Sequence, residues 1–332
     1  MNDEADTGIQ REVPPNRLAA GGLVAALVLT LLFAFSYVGA LHDPHPHRMP
    51  IAVLNPRSAA AVESSNGMFV PRMYSTESDI RAALHRRDVL AALVPPRLLI
   101  ASAGGYAATQ YTAAAFTQAQ PTLRVVDVAP LPEGDSRGLS LFYLTVALIF
   151  GGYFAATVVT TLVGPRSRSH RGAALRVGGL LGFSILAGFL TAVVVGPLLG
   201  AVPDHFAQVG AIGSLVVFAA AMATCALQTL LGALGTLVAL ILFVLLGNPS
   251  AGLYPGSFVP GFWGAIGPWL PGGAGLSALR GSVYFDGTAI GGRLVLLAVY
   301  AVAGAVTTIA LGWRRGLLAP EPELATAAAA GA

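Results

Sequence analysis

Charge is what this sequence has least of. Asp, Glu, Lys and Arg make up 11% of its 332 residues, less than half the roughly one quarter found in soluble globular domains. So few charges cannot cover the water-facing surface of a chain this size, which excludes a wholly soluble, a disordered and a fibrous protein. Lysine is absent altogether. All 19 basic residues are Arg, which, with the abundance of Ala, looks like a GC-rich bacterial codon bias. The arginines are spread over loops and termini, so the net charge of +3 builds no basic face and no nucleic-acid partner is expected. The single cysteine, Cys225, lies in an apolar run, leaving neither an internal disulfide nor a CxxC metal site. No glycine cluster is followed by Lys-Ser/Thr, and neither a nucleophile elbow nor HExxH occurs. The sequence therefore offers no catalytic, cofactor-binding or metal residue, no cofactor, and no support for an enzyme.

What the chain has instead is long apolar runs. Leu18 to Leu41 carries no charge over 24 residues, enough for a membrane-spanning helix of about 20, and reads as a retained signal anchor. Leu139 to Val163, Val177 to Val202 and Leu294 to Trp313 follow the same rule. Phe206 to Gly247 is uncharged for 42 residues, too long for one span and right for two, with the break expected at Leu231 to Gly235. The expectation is an all-α membrane bundle of six helices. Charged groups are missing from these runs, which argues against a proton- or ion-coupled pump. Gln228, the largest polar side chain among them, is expected to bond helix to helix.

Arginines choose the orientation. Arg11 and Arg17 precede the first helix, Arg166, Arg168, Arg171 and Arg176 crowd the loop after the second, and Arg314 and Arg315 follow the last. Six spans put all eight on one face, the cytoplasm, with both termini. The expected location is the bacterial cytoplasmic (plasma) membrane, multi-pass, in contact with membrane lipid. The hydrophilic stretch 42–138 then lies outside as an inserted extracytoplasmic α/β domain with a mixed sheet. Its expected strands cover 51–54, 68–73, 89–94, 98–101 and 123–128. Helices are expected after the Ser75–Asp79 cap and over Tyr106 to Ala119, and Asn55-Pro56 reads as a turn.

Three further features bear on function. His42, Asp43, His45 and His47 carry metal-binding groups, yet the alternating prolines keep them from converging, so they read as a rigid collar where the chain leaves the membrane. The segment 248–292 is too apolar to float in water and too rich in proline to span. It reads as re-entrant or interfacial helices with Trp263 and Trp269 at headgroup depth. As an extracellular gate it would use Asn248, Pro249, Pro260, Trp263, Trp269, Pro271 and Arg280; otherwise it is an interfacial cap. The loop with Arg166, Arg168, Arg171 and Arg176 reads either as a topology determinant beside anionic lipid or as an ATPase-docking surface. The tails are 1–17 and 314–332, and the five-helix membrane part is 139–313.

Several local stretches carry a resemblance. They are Leu41-His42-Asp43-Pro44-His45-Pro46-His47 running into a strand, Ala101-Ser102-Ala103-Gly104-Gly105, Asp127-Val128-Ala129-Pro130-Leu131-Pro132, and, most telling, Gly247-Asn248-Pro249-Ser250-Ala251-Gly252 and Leu270-Pro271-Gly272-Gly273-Ala274 before Arg280. With the layout of one helix, an external domain and five helices, the chain resembles ABC type 2 exporter permeases, and more closely their Pip/YhgE-related actinobacterial branch, over residues 18 to 313. The resemblance implies a permease subunit of a homo- or heterodimer, moving an amphipathic or lipid-like substrate outward with a separate ATPase subunit. The rival reading is a non-transporting membrane-anchored protein whose external domain binds a cell-wall or secretion partner.

Overall fold

The computed structural model describes residues 15–167, 169–202 and 204–316; Arg11 and Arg168 lie outside them. Helix α1 spans Pro15–Leu41, opening on a proline whose missing N–H costs nothing at a first helical position. A mixed five-stranded sheet follows, built from β1 (Met49–Val53), α2 (Pro56–Glu63), β2 (Phe69–Met73), α3 (Glu77–His85), β3 (Ala91–Val94), β4 (Arg97–Ile100), α4 (Tyr106–Ala119) and β5 (Arg124–Asp127). The strand order is β2-β1-β3-β4-β5, parallel throughout except between β3 and β4.

The mixed sheet and its five strands match the sequence expectation, with one addition. Asn55-Pro56 starts a helix as well as a turn: the Asn55 side chain accepts from Ser58 N at 2.9 Å and Pro56 takes the first helical position. At α3 the cap falls on Thr76, which exchanges hydrogen bonds with Asp79 as a capping box. Strand alternation then sorts the side chains. Ile51, Val53, Leu93 and Leu98 face α2 and α4 in one core, while Ala52, Ala92 and Leu99 face α3 in another.

The rest of the chain is helical: α5 (Ser140–Val163), α6 (His170–Val193, extended by a π-helical turn over Val194–Leu198), α7 (Phe206–Leu231), α8 (Ala233–Ala239, extended as a π-helix over Leu240–Leu246), α9 (Gly261–Ile266), α10 (Pro271–Tyr284) and α11 (Gly291–Gly316). The centre of this bundle is α7, which packs on α5, α6, α8, α10 and α11. Small residues bring the backbones together, as they do in membrane helices: a Cβ at Gly188 of α6 would lie 2.6 Å from the Gly210 carbonyl oxygen of α7.

Two points differ from the expectation. Among the described residues five helices are long and apolar enough to cross a membrane: α1, α5, α6, α7 and α11. The second span expected within 206–247 is the 14-residue stretch Ala233–Leu246, about 21 Å long against a hydrocarbon core of about 30 Å. The turn at Gly232, with φ +63°, and the close seat of Gly235 on the Leu227 backbone consume its start, and Asn248-Pro249 ends it. The other point concerns α6, which begins at His170 rather than Val177. Ser169 caps it by accepting from Gly172 N at 3.1 Å, so Arg171 and Arg176 stand on the helix and not in the loop.

Candidate functional site

The proline-broken segment meets the sheet unit at the end of the bundle where α1 stops and α11 starts. Each proline sets a boundary: Pro260 precedes α9, Pro268 lies in a short 3-10 turn, and Pro271 opens α10 at a position that needs no N–H. Two phenylalanines fasten this segment to the sheet. Phe258, 1% exposed, completes the core on the α2/α4 side, and Phe285, 0% exposed, completes the core on the α3 side. Backbone contact adds to this, since His47 N donates to Ser257 O at 2.7 Å.

Between the fastenings lies a cavity of about 480 Å³. Its wall holds Arg86 and Arg87 from the end of α3, Arg280 of α10 and Arg293 of α11, against a single carboxylate, Asp88. Asp88 is bound to Arg86 at 2.9 Å. Arg87, Arg280 and Arg293 have no carboxylate within 4.0 Å among the described residues. Backbone carbonyls hold them instead: Arg87 Nη1 donates to Ser277 O at 2.7 Å and its Nη2 to Thr288 O at 3.3 Å, Arg280 Nη1 donates to Gly252 O at 2.7 Å, and Arg293 Nη1 to Pro268 O at 3.0 Å. The Arg87 guanidinium also lies 5.4 Å from the Phe285 ring centroid.

The electrostatics follow from burial. Arg280 is 8% exposed, and loss of hydration, with a smaller push from Arg87, brings its pKa down to about 10; it stays cationic at neutral pH. Burial and the charge of Arg293 lower Arg87 as well. Asp135 acts on Arg280 from beyond ion-pair distance. Its carboxylate is taken up by the Leu139 and Ser140 N–H groups at the start of α5 and by the Tyr284 hydroxyl at 2.9 Å.

The other residues singled out from the sequence fall around this site or away from it. Asn248 is buried and donates to Tyr37 Oη at 2.9 Å, tying the segment to α1. Pro249 and Pro271 are buried, Pro260 is exposed. Trp263 packs near Phe35 of α1 with its indole N–H buried and unpaired, whereas Trp269 is 69% exposed. Of the gate residues, only Arg280 lines the cavity. Arg87 and Arg293 carry no signal in spacing, because their partners are backbone carbonyls 25 to 201 positions away; Arg86 is paired locally, with Asp88, and reads as an ordinary surface ion pair.

At the opposite end of the bundle Arg176 is buried, its Nη1 donating to Pro165 O at 3.1 Å and its Nη2 to Gly164 O, where it caps α5. Arg166 Nε donates to Thr229 O at 3.3 Å, and Arg171 is exposed. Gln228 bonds Thr160 of α5 and Thr236 of α8, the interhelical role expected of it. Among the described residues no three His, Cys, Asp or Glu side chains are grouped to hold a metal ion, and His42, His45 and His47 are exposed.

Compared with family models, curated proteins and solved structures, the chain has no match.

Proposed function

We propose that the chain is an integral membrane permease subunit of an ABC-type exporter, with the sheet unit outside the bacterial cytoplasmic membrane, both termini inside, and the short stretch Ala233–Leu246 as a sixth, abbreviated passage. On this reading two copies, or one copy and a relative, face each other, and a separate ATPase drives an amphipathic substrate outward. One observation carries the reading: the sheet unit is locked to the broken segment 248–292 through Phe258 and Phe285. A binding module needs only a tether. A unit that shares its two cores with helices at the bundle's end is placed to move with them, as a gate must. Irregular backbone at membrane depth is tolerated where it is buried in protein or lines a pathway, which suits the same role.

The test is purification of the tagged protein from its native membrane in mild detergent, with identification of stoichiometric partners. The expected result is a nucleotide-hydrolysing subunit that is lost when Arg166 and Arg171, the arginines of the opposite end that are exposed, are replaced together. Cell-wall or secretion proteins without such a subunit would transfer the assignment to a membrane-anchored binding protein.

A further inference from the structure

We propose that the arginine-lined cavity between the sheet unit and the broken segment is a binding site for a phosphate-type oxyanion, carried on a lipid headgroup or on a phosphorylated solute. The inference goes beyond export and holds whether or not the chain transports anything.

The argument starts from cost. Three guanidiniums, Arg87, Arg280 and Arg293, converge on one cavity without a carboxylate partner. Burying a charge that is not paired is expensive, and here buried Arg280 shares one cavity with two half-buried like charges, Arg87 and Arg293. The fold keeps them all the same, each aimed by a carbonyl from a different stretch of the segment: Ser277, Gly252 and Pro268. A guanidinium carries five N–H donors, so one or two carbonyl bonds leave donors over. Arg87 Nε is buried with no partner at all. An anion with several oxygens in the cavity offsets the repulsion and takes those donors, and phosphate suits the planar fork of arginine better than a point charge does.

Size and place narrow the ligand. About 480 Å³ falls within the roughly 300–1,000 Å³ of small-molecule pockets. The cavity adjoins the first turn of α11, a membrane-length helix, and the segment that lines it exposes Phe262 and Trp269 beside it. Exposed aromatic side chains at such a boundary sit at headgroup depth, where phosphates are concentrated.

The experiment uses the purified full-length chain. Affinity is measured for inorganic phosphate and, separately, for phosphatidylglycerol in nanodiscs against phosphatidylcholine. The variants are Arg87→Gln, Arg293→Gln and, as a control, Arg72→Gln, which removes an exposed arginine of β2 that does not line the cavity. A loss of about tenfold or more is expected for Arg87→Gln and Arg293→Gln, about the worth of one charge-assisted hydrogen bond, and none for Arg72→Gln. Thermal unfolding of each variant separates lost binding from lost fold, and Arg293→Gln, at the half-buried first turn of α11, supplies the answer if Arg87→Gln does not fold. Binding of phosphatidylglycerol but not of inorganic phosphate assigns the site to a lipid headgroup; binding of inorganic phosphate, with or without phosphatidylglycerol, assigns it to phosphorylated solutes. No binding of either, or binding that folded Arg293→Gln retains in full, overturns the proposal.

Discussion

Arg87 Nη1 donates a 2.7 Å hydrogen bond to the Ser277 carbonyl oxygen, joining the end of α3 to the middle of α10 across 190 positions of sequence. The approach is close: a Cβ on Gly281, one turn further along α10, would lie 2.7 Å from Arg87 Nη2. Together with Phe258 and Phe285, this bond makes the sheet unit and the broken segment a single packed body.

Phe258→Ala and Phe285→Ala each open a hole in a different core of the sheet unit. Loss of a buried phenylalanine costs about 3–5 kcal/mol, so each variant should show a lowered unfolding temperature and early proteolysis within 49–127. By the same reasoning a fragment limited to residues 42–138 lacks both rings and should not fold stably. A fragment with a cooperative transition at the full chain's temperature would show that the unit is independent of the segment.

Arg176 and Arg171 lie five residues apart on α6 and should behave differently. Arg176→Ala strips the cap from the Gly164 and Pro165 carbonyls and should cost about 1–3 kcal/mol, the penalty for stranding a buried polar group. Arg171→Ala, at an exposed position, should stay within about 0.5 kcal/mol of wild type. Unfolding in detergent compares the two; equal losses would mean that Arg176 does not cap α5.

The Glu77 carboxyl lies below the ordinary glutamate range, first because Arg81 hydrogen-bonds to it and then because Arg97 does. A carboxyl depressed in the fold adds stability that is present above its unfolded pKa, near 4.5, and lost as pH falls through the lower folded value. The stability gap between wild type and Glu77→Gln should therefore be present at neutral pH and close in acid, as read by unfolding of the two proteins across pH 7 to 3 (the approximate span of a glutamate titration). A gap that does not change with pH would rule out the carboxylate as its source.

Local signals explain what was legible in the sequence. The Ser75–Asp79 run announced α3, the alternating apolar residues announced the strands, and unbroken apolar length announced α1, α5, α7 and α11. The stretch Ala233–Leu246 is shorter than its apolar run implies, because hydropathy reports how long a run is, not how much of it a tight turn at Gly232 uses. The site was harder to see. Arg280 stood out as a lone charge in apolar sequence, but Arg87 looks like any arginine at the end of an exposed helix. Its partners at Ser277 and Thr288, and the seats of Phe258 and Phe285 in a sheet more than a hundred residues earlier, are set by tertiary packing alone.

The permease account requires the sheet unit, and the cavity beneath it, to lie outside the cell while the Arg166–Arg176 end lies in the cytoplasm. The most direct measurement is labelling of single cysteines in intact cells with a membrane-impermeant maleimide. The lone native thiol, buried Cys225, is first replaced by Ala. Glu63→Cys at the end of α2 and Arg171→Cys on α6 then report from exposed positions at the two ends. The account predicts that Glu63→Cys labels in intact cells and Arg171→Cys labels only after the membrane is opened. Labelling in the reverse order, or of both in intact cells, would contradict it.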